Sequence, residues 1–445
     1  MRRFFAHRPW GRALAWLCVL GPFFFLSYGF ANHYTASLSG VESFAFAWER
    51  HIPFWPWTII PYWSIDFLYG ASLFLCLTKR ELDAHAWRLA LASCLCVAGF
   101  LLFPLRFSFE RPEIGQPFFH WLFAVLGSFD LPYNQAPSLH ICLLFIIWER
   151  FAHHSPPRLR PLTHIWALLI GISVLTTWQH HVIDVITGLP AGLLCCYLVP
   201  EEGWHCWRSS LPDQARKLAW RYGAIGAALT ATAVVAGGWA WLLLWPGFAL
   251  LLVAAGYLGL GPGVLQKTAG TGERAGLRSV AARWLLAPYE FGARWYRARF
   301  FAYLPGPAEL APGLWLGGYP SALPVPDCGV LDLTSEYPRA PAGMGRPYAA
   351  VPMLDLVPPT HEELAKALEA FAMLRRQGPV IVHCALGLTR SVLVAACALV
   401  REGRFADVTA ALAHIAVLRP GITVSAPAAA LADEFMRSTG DTHVG

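Results

Sequence analysis

Long apolar stretches in the first 262 residues constrain the fold of this chain more than any other feature. Hydrophobic residues make up 56% of the 445 residues and charged residues only 14%, more apolar material than a water-soluble core needs. A helix needs about 20 mostly apolar residues to cross roughly 30 Å of hydrocarbon. The sequence predicts a multi-pass α-helical membrane domain with about eight spans, the fourth being the shortest: 11–31, 57–78, 86–105, 139–151, 163–180, 183–200, 221–239 and 241–262.

The distribution of basic residues predicts the orientation of these spans, because basic loops remain on the cytoplasmic side. Arginine and lysine cluster at the amino terminus and in alternate loops: Arg2, Arg3, Arg8, Arg12, Lys79, Arg80, Arg88, Arg150, Arg158, Arg160, Arg208, Arg216 and Lys217. We therefore expect an integral protein, of a bacterial inner membrane, with both ends in the cytoplasm. The first stretch is too long for a signal peptide and Ala31 offers a poor cleavage site, which favours an uncleaved span.

Residues 383–391 read HCALGLTRS, a motif that predicts an anion-binding loop. A strand-like run, 380–382, precedes it and a helix-like run, 391–400, follows it. Backbone N–H groups at the start of a helix attract phosphate, and Gly387 permits the tight turn. Cys384 in this field is expected to be a thiolate nucleophile, and the planar guanidinium of Arg390 can bind two phosphate oxygens. The motif therefore predicts cleavage of a phosphate ester.

A leaving alcohol also needs a proton, and Asp355 is the predicted donor. It lies upstream of Cys384, and Pro358 and Pro359 keep its segment out of regular structure, as suits a mobile acid loop. The same carboxylate could then activate the water that releases the phosphate. Asp332 is an alternative donor, although a carboxylate at a strand end is more often structural.

These residues, with GLWLGGYPS from Gly313, LDLTSEYP and RPGITV, resemble the dual-specificity branch of the cysteine phosphatases over roughly residues 303–437. The resemblance implies an α/β domain over residues 303–445. It also implies a role for each matching residue: Cys384 as nucleophile, Arg390 as phosphate ligand, Asp355 as acid, Ser391 in thiolate departure and His383 in orienting the loop. No lysine occupies the variable loop positions, which argues against a multiply phosphorylated inositol lipid.

Two polar clusters interrupt the membrane domain, where charge is costly and usually functional. PSLH ends at His140, and TTWQHHVIDVITG contains His180 and Asp184 four residues apart, hence on one helical face. Such a carboxylate can fix the imidazole tautomer. The predicted topology brings both clusters to the outer surface together with Arg106 and Arg111, which predicts a second, periplasmic site.

These clusters resemble the PAP2 superfamily of lipid phosphatases and phosphotransferases over roughly residues 10–200, a core of six spans. The resemblance implies that His180 attacks phosphorus, Asp184 orients it, His140 protonates the leaving oxygen and the two arginines neutralise the phosphate. The sequence departs from the phosphatase pattern at PSLH, at Val174 and at Pro104. It is more similar there to the inositol phosphorylceramide synthase branch, so transfer and hydrolysis both stay open.

The remaining segments connect these regions. Residues 1–200 form the PAP2-like domain, 201–262 two additional spans, and 263–302 a basic juxtamembrane linker. The linker interleaves basic and aromatic residues, and we expect it to lie on anionic headgroups, a solvated linker being the alternative: Lys267, Arg274, Arg278, Arg283, Arg294, Arg297, Arg299, Trp284, Trp295 and Tyr296. Neither predicted mechanism requires a metal or another cofactor, and no nucleic-acid-binding fold is evident.

Two functional hypotheses follow. The first is a bifunctional membrane enzyme that acts on lipid phosphates: its cytoplasmic cysteine site hydrolyses phosphomonoesters, and its outward histidine site cleaves or transfers a lipid phosphate. The second is a membrane-anchored tyrosine or serine/threonine protein phosphatase whose PAP2-like part is a sensor or scaffold. The sequence does not determine the oligomeric state.

Overall fold

The computed structural model describes residues 8–201, 211–261, 265–301 and 303–440. The chain divides into two compact units, residues 1–204 and 205–445. The last two predicted spans and the predicted linker therefore belong to the same unit as the phosphatase-like region. Arg2, Arg3 and Arg208, which contribute to the predicted orientation, lie outside the described residues.

Helices are the main regular elements among the described residues of the first unit. Its α-helices are α1 (Trp10–Ala36), α2 (Ile59–Leu75), α3 (Lys79–Leu102), α4 (Pro117–Gly127), α5 (Leu139–His154), α6 (Arg160–Thr176) and α7 (Val182–Leu198). Short 3₁₀ segments, Ala47–His51 and Pro56–Thr58, connect α1 to α2. The side chain of Ser138 accepts a hydrogen bond from the Ile141 N–H at 3.3 Å, which begins α5 two residues before His140.

Glycines bring α5 and α7 unusually close together. A Cβ on Gly188 would lie 2.6 Å from the Ser138 carbonyl oxygen, and one on Gly192 would lie 2.7 Å from that of Cys142. Both contacts are shorter than any real Cβ makes, so only glycine fits at these positions of α7. This packing places the start of α5 next to the start of α7, where the two polar clusters of the sequence lie.

Each predicted span falls on a helix, but the helices differ in length. Among the described residues, four segments are long and apolar enough to cross a membrane: Trp10–Ala36, Lys79–Leu102, Asp213–Ala236 and Gly238–Tyr257. The helices α2, α5, α6 and α7 have only 16 or 17 residues. The protein thus carries at least four candidate spans, and the full set of eight stays a prediction. The short apolar helix α4 was not predicted.

A helical hairpin opens the second unit. It consists of α8 (Asp213–Ala236), a 3₁₀ turn (Gly238–Leu243) and α9 (Leu244–Tyr257). A Cβ on Gly226 would lie 2.8 Å from the Gly247 carbonyl oxygen, and one on Gly247 would lie 2.7 Å from Thr230 Oγ1. Small residues at the crossing let the two backbones touch, as is usual between membrane helices.

A mixed six-stranded sheet forms the core of the rest of this unit. In chain order its elements are β1 (Gly270–Thr271), α10 (Val280–Leu285), α11 (Ala287–Phe301), β2 (Ala308–Ala311), β3 (Leu314–Gly317), β4 (Gly329–Thr334), β5 (Tyr348–Met353), α12 (His361–Arg375), β6 (Val380–His383), α13 (Arg390–Arg401), α14 (Val408–Leu418) and α15 (Ala426–Gly440). The strand order is β1-β5-β4-β6-β3-β2. The predicted α/β class is thus observed for this region.

The inner strands of the sheet are parallel and buried. β6 pairs in parallel with β3 and with β4, and β4 pairs in parallel with β5. Every residue of β4, β5 and β6 is buried, as expected for a parallel sheet covered on both faces. Their carboxyl ends meet at one edge of the sheet, which is where ligands bind in open α/β sheets. The HCALGLTRS loop leaves β6 at this edge.

The predicted linker is in part a structural component of this sheet. Its strand β1 pairs with β5, and the ammonium of Lys267 lies buried 2.5 Å from Asp332. The guanidinium of Arg278 is also buried and donates to the Ser335 carbonyl. These two cations are therefore not available to lipid headgroups, and the prediction was wrong for them. Trp284 and Trp295 remain exposed.

Candidate functional site

The loop between β6 and α13 is shaped by one glycine and one buried arginine. Gly387 has φ +74°, and a Cβ there would lie 2.5 Å from the carbonyl carbon of Gly317. Arg419 is buried and donates to the carbonyl oxygens of Gly387 at 2.9 Å and Leu386 at 3.1 Å. A further bond of its guanidinium, 2.6 Å long, reaches the Gly306 carbonyl. Arg419 lies in the RPGITV segment, but its role was not predicted.

Cys384 lies at the base of this loop with its sulfur atom surrounded by donors. Its residue is only 3% exposed. The Gly387 N–H donates to Sγ at 3.3 Å, and the Ser391 hydroxyl lies 3.2 Å from the same sulfur atom. The loop therefore holds the Cys384 sulfur atom in a concave backbone turn at the start of α13, next to one N–H group and one hydroxyl.

Arg390 is held in place by a glutamate that the sequence analysis missed. Its two terminal nitrogens bond to the two carboxylate oxygens of Glu336 at 2.9 and 2.6 Å, and Nη1 also donates to the Met353 carbonyl at 3.0 Å. A bidentate pair of this kind fixes the plane of the guanidinium. Glu336 follows the carboxyl end of β4, so strand topology could have placed it at this edge of the sheet.

Asp355 lies beside the same guanidinium. Its Oδ1 is 2.9 Å from Arg390 Nη2, and its side chain is 43% exposed. Partial burial raises the pKa of Asp355, and the charge of Glu336 adds to this, while Arg390 opposes both. A raised pKa keeps more of the carboxyl protonated, which a proton donor requires. The structure thus brings the Asp355 carboxyl to Arg390, six residues along the loop from Cys384, and the role of Asp355 as the acid stays a prediction.

His383 and Asp332 lie behind the loop. His383 Nδ1 donates to the Cys384 carbonyl at 3.3 Å, and burial lowers the pKa of this imidazole. Asp332 is buried and accepts from Tyr348 at 2.6 Å. Burial alone would raise the pKa of Asp332, but the ammonium of Lys267 outweighs it and lowers the pKa to about 2. Asp332 is therefore ionised and structural, which rules it out as the alternative acid.

The second candidate site is a cavity of about 350 Å³ in the first unit that both predicted histidines line. Nδ1 of His180 is 3.3 Å from Asp184 Oδ2, and the same oxygen accepts the His181 N–H at 2.8 Å. The ring of His140 stacks on Tyr62 with centroids 4.2 Å apart. Its Nε2 is buried without a hydrogen-bond partner among the described residues. The structure thus brings His140, His180 and Asp184 together.

The predicted arginines do not line this cavity. Arg106 and Arg111 are exposed, and Arg111 donates to the Trp178 carbonyl at 3.2 Å. Two carboxylates that were not predicted, Asp66 and Asp130, line the cavity instead. Asp130 accepts from the Tyr28 hydroxyl at 2.7 Å. The role of the two arginines as phosphate ligands therefore stays a prediction, and no motif in the sequence had indicated the carboxylates.

The paired histidines at 180 and 181 have different surroundings. His181 points away from His180 and forms a buried pair with Glu49, Nδ1 to Oε2 at 2.9 Å. Among the described residues, one group has the spacing of metal ligands, Glu81 with His153 and His154. Glu81 already bonds to Arg150 and to His154, and none of the three belongs to either candidate site.

Comparison with known proteins adds structural neighbours only. No family model and no curated protein matches the chain. PTPMT1 is similar at 18% identity over 31% of this chain and 99% of its own, with a TM-score of 0.25. Human DUSP28 is similar at 19% identity over 30% and 99%, with a TM-score of 0.28. A mouse putative dual specificity phosphatase complexed with zinc tungstate is similar at 21% identity over 32% and 92%, with a TM-score of 0.27.

Identities and TM-scores this low assign no activity to the chain, so the roles of its residues rest on their geometry. Because no family model matches, the resemblance of residues 10–200 to the PAP2 superfamily stays a prediction.

Proposed function

We propose that the second unit hydrolyses phosphate monoesters of membrane lipids through a phosphocysteine. The Cys384 thiolate attacks phosphorus and forms an S–P bond, while the P–O bond to the alcohol breaks and Asp355 protonates the leaving oxygen. Asp355 then takes a proton from water, the hydroxide attacks phosphorus, and the S–P bond breaks to release inorganic phosphate. Arg390 binds two phosphate oxygens in both steps.

The chemistry rests on three groups at the carboxyl ends of the parallel strands. They are the Cys384 sulfur atom, which accepts the Gly387 N–H, the fixed guanidinium of Arg390, and the Asp355 carboxyl, whose pKa is raised. The choice of a lipid rests on a different contact. The hydroxyl of Tyr257, the last residue of the apolar helix α9, donates to the Asp355 carbonyl at 3.2 Å. The acid therefore lies within one side chain of the end of a candidate membrane helix, where we expect phosphorylated headgroups to lie.

Phosphate release from lipid phosphomonoesters tests this proposal. We expect the full chain in mixed micelles to release phosphate from a phosphatidylglycerophosphate-like lipid. Cys384→Ser should abolish release, and Asp355→Asn should lower it by about 10² to 10⁴ fold, the usual contribution of a positioned acid. Tyr303→Phe, at an exposed ring, is the matched control. Activity restricted to phosphotyrosine peptides would instead support the anchored protein phosphatase.

We also propose that the histidine cavity cleaves or transfers a lipid phosphate. His180 would attack phosphorus with Asp184 holding its tautomer, and His140 would protonate the leaving oxygen. The bond between His180 and Asp184, together with the free Nε2 of His140, supports these roles. With a lipid phosphomonoester, the P–O bond to the lipid breaks and water then accepts the phosphoryl group, which gives inorganic phosphate. With a phosphodiester, only one P–O bond breaks, and an alcohol then accepts the phosphoryl group with its remaining ester, which gives a new phosphodiester.

One observation favours a second candidate for the first unit, a scaffold without catalysis. The cavity carries Asp66 and Asp130 where an anion-binding site would carry guanidinium groups. Cells that express His180→Ala or Cys384→Ser, given labelled lipid, distinguish the two. A lipid product lost with His180→Ala and kept with Cys384→Ser supports catalysis in the cavity. An unchanged set of products with His180→Ala supports the scaffold.

A further inference from the structure

The loop that carries Asp355 has a strained backbone. Leu356, the next residue, has φ +57°. A left-handed conformation is sterically unfavourable for a residue with a Cβ, because the Cβ lies too close to the following carbonyl oxygen. Leu356 is also 61% exposed, so burial of its side chain does not compensate for this cost. Another contact must hold the loop in this conformation.

Tyr257 supplies such a contact from outside the loop. Its hydroxyl donates to the Asp355 carbonyl at 3.2 Å, immediately before the strained residue. The side chain of Tyr257 is nearly fully buried, at 1% exposure. Its ring lies 5.3 Å from that of Tyr222 in α8, and Tyr222 lies 5.9 Å from Tyr289 in α11. The hydroxyl is therefore presented by a packed cluster of three rings.

The position of Asp355 shows what this bond holds. With its backbone bonded to Tyr257, the carboxyl lies 2.9 Å from Arg390. Arg390 is independently fixed by Glu336 and by the Met353 carbonyl. The loop thus lies over residues 384–390, which we call the cradle, with Asp355 next to the proposed phosphate ligand Arg390. The sequence had predicted a mobile loop. A loop held in its working position avoids the closing step that limits many enzymes with mobile lids.

We propose that Tyr257 is a positioning residue. Through its hydroxyl, the hairpin α8–α9 holds the proposed general acid Asp355 over the cradle. This inference rests on the proposed phosphomonoesterase function. The hairpin is then a working part of the active site as well as an anchor. Proton donation to the leaving alcohol depends on it, whereas attack by Cys384 does not.

Leaving groups of different basicity test this division. An alkyl phosphate needs a proton from the acid, whereas p-nitrophenyl phosphate departs with little help. In the full chain in nanodiscs, Tyr257→Phe should lower kcat for the alkyl ester by about tenfold, a part of the 10² to 10⁴ fold that a positioned acid contributes. It should lower kcat for p-nitrophenyl phosphate by less than about twofold, with KM unchanged for both.

A double-variant cycle makes the test specific to Asp355. On the alkyl ester, Tyr257→Phe combined with Asp355→Asn should be no slower than Asp355→Asn alone, because the hydroxyl acts through that residue. Tyr303→Phe, at an exposed ring before β2, should leave both rates unchanged. The hydroxyl alone is removed in Tyr257→Phe, so the ring cluster and the fold are kept.

Two outcomes would overturn the inference. Equal losses on both esters would show that Tyr257 is merely structural, and no loss on the alkyl ester would show that Asp355 does not need it. Failure of the proposed lipid function would give a different result. If the wild-type chain cleaves soluble alkyl and aryl phosphates but no lipid phosphomonoester, the lipid assignment is wrong, and the Tyr257 comparison still decides the positioning role.

Discussion

At the scale of single residues, the cradle depends on groups that have almost no freedom. Arg390 is bonded to both oxygens of Glu336 and is buried, so its guanidinium plane is set before any substrate arrives. Preorganised donors of this kind lose little entropy on binding and need no rearrangement in the transition state. The backbone at Gly387 is equally restricted, because the turn there leaves no space for a Cβ.

Gly387→Ala should therefore destroy the cradle. The substitution combines a left-handed φ with a contact of 2.5 Å to Gly317, so we expect phosphatase activity to fall by more than about 100-fold and tungstate binding to be lost. Gly403→Ala is the matched control, because Gly403 has φ +70° with open space around it. It should cost only about 1 to 2 kcal/mol of stability and leave activity intact. Equal effects of the two changes would contradict this account.

The raised pKa of Asp355 predicts the pH dependence of the reaction. The acid must be protonated to donate, so kcat for an alkyl phosphate should fall as pH rises through the pKa of Asp355. Because burial raises that pKa, the fall should occur above the value of about 3.9 of an ordinary aspartate. In Asp355→Asn this alkaline limb should disappear. A limb that persists in the variant would assign the titration to another group.

At the scale of elements, one buried ion pair connects the segment before the sheet to its centre. Lys267 lies 2.5 Å from Asp332 of β4 and also donates to Thr334 at 2.7 Å. The pair joins the segment that carries β1 to the strand that leads to Glu336. It also explains why the basic composition of residues 263–302 was misleading. The sequence alone does not distinguish a lysine that binds lipid headgroups from a lysine that pairs with a buried carboxylate.

Removing one partner of this pair should be costly. Asp332→Asn leaves the ammonium of Lys267 buried and unpaired, which should destabilise the unit by about 3 to 5 kcal/mol. The double change Lys267→Met with Asp332→Asn should cost less than Asp332→Asn alone. Thermal unfolding of the full chain in detergent measures both. Glu362→Gln in the exposed pair with Lys366 is the control and should change stability by less than about 1 kcal/mol.

The same pair has a pH signature with a definite sign. The folded pKa of Asp332 is about 2, lower than the roughly 3.9 of an unfolded chain. Its stabilisation, about 2 to 3 kcal/mol, is complete above pH ~4 and is lost as pH falls towards ~2. In Asp332→Asn the acid-induced loss of stability over this interval should be correspondingly smaller.

At the scale of the whole molecule, how far sequence predicts the sites depends on how local their chemistry is. Cys384, Gly387 and Arg390 lie within one turn and helix start, so spacing alone identifies them. Glu336 and Tyr257 act on the same site from 54 and 98 residues away, and only the folded chain reveals the contact. In the first unit, HxxxD predicted the bond of His180 to Asp184, whereas Asp66 and Asp130 reach the cavity through helix packing.

The predicted topology is testable on the intact chain. Basic loops predict that the carboxyl terminus lies in the cytoplasm. We expect a fluorescent protein that matures only in the cytoplasm to be bright when fused after Gly445, and an alkaline phosphatase that folds only in the periplasm to be inactive there. The same two fusions after Glu110, in the segment predicted to be outside, should give the reverse result. An active alkaline phosphatase at the carboxyl terminus would invert the proposed map.

The crossing of α8 and α9 has a consequence for which lipids the enzyme can use. Gly226 and Gly247 pack backbone against backbone, so neither helix can slide along the other without a collision. The second helix of this hairpin ends at Tyr257, opposite the turn, and Tyr257 donates to the Asp355 carbonyl there. If the second unit acts on lipids as proposed, the protein sets the height of the acid above the acyl chains. We then expect lipids that carry their phosphate at that height to be cleaved faster than lipids with shorter or longer headgroups.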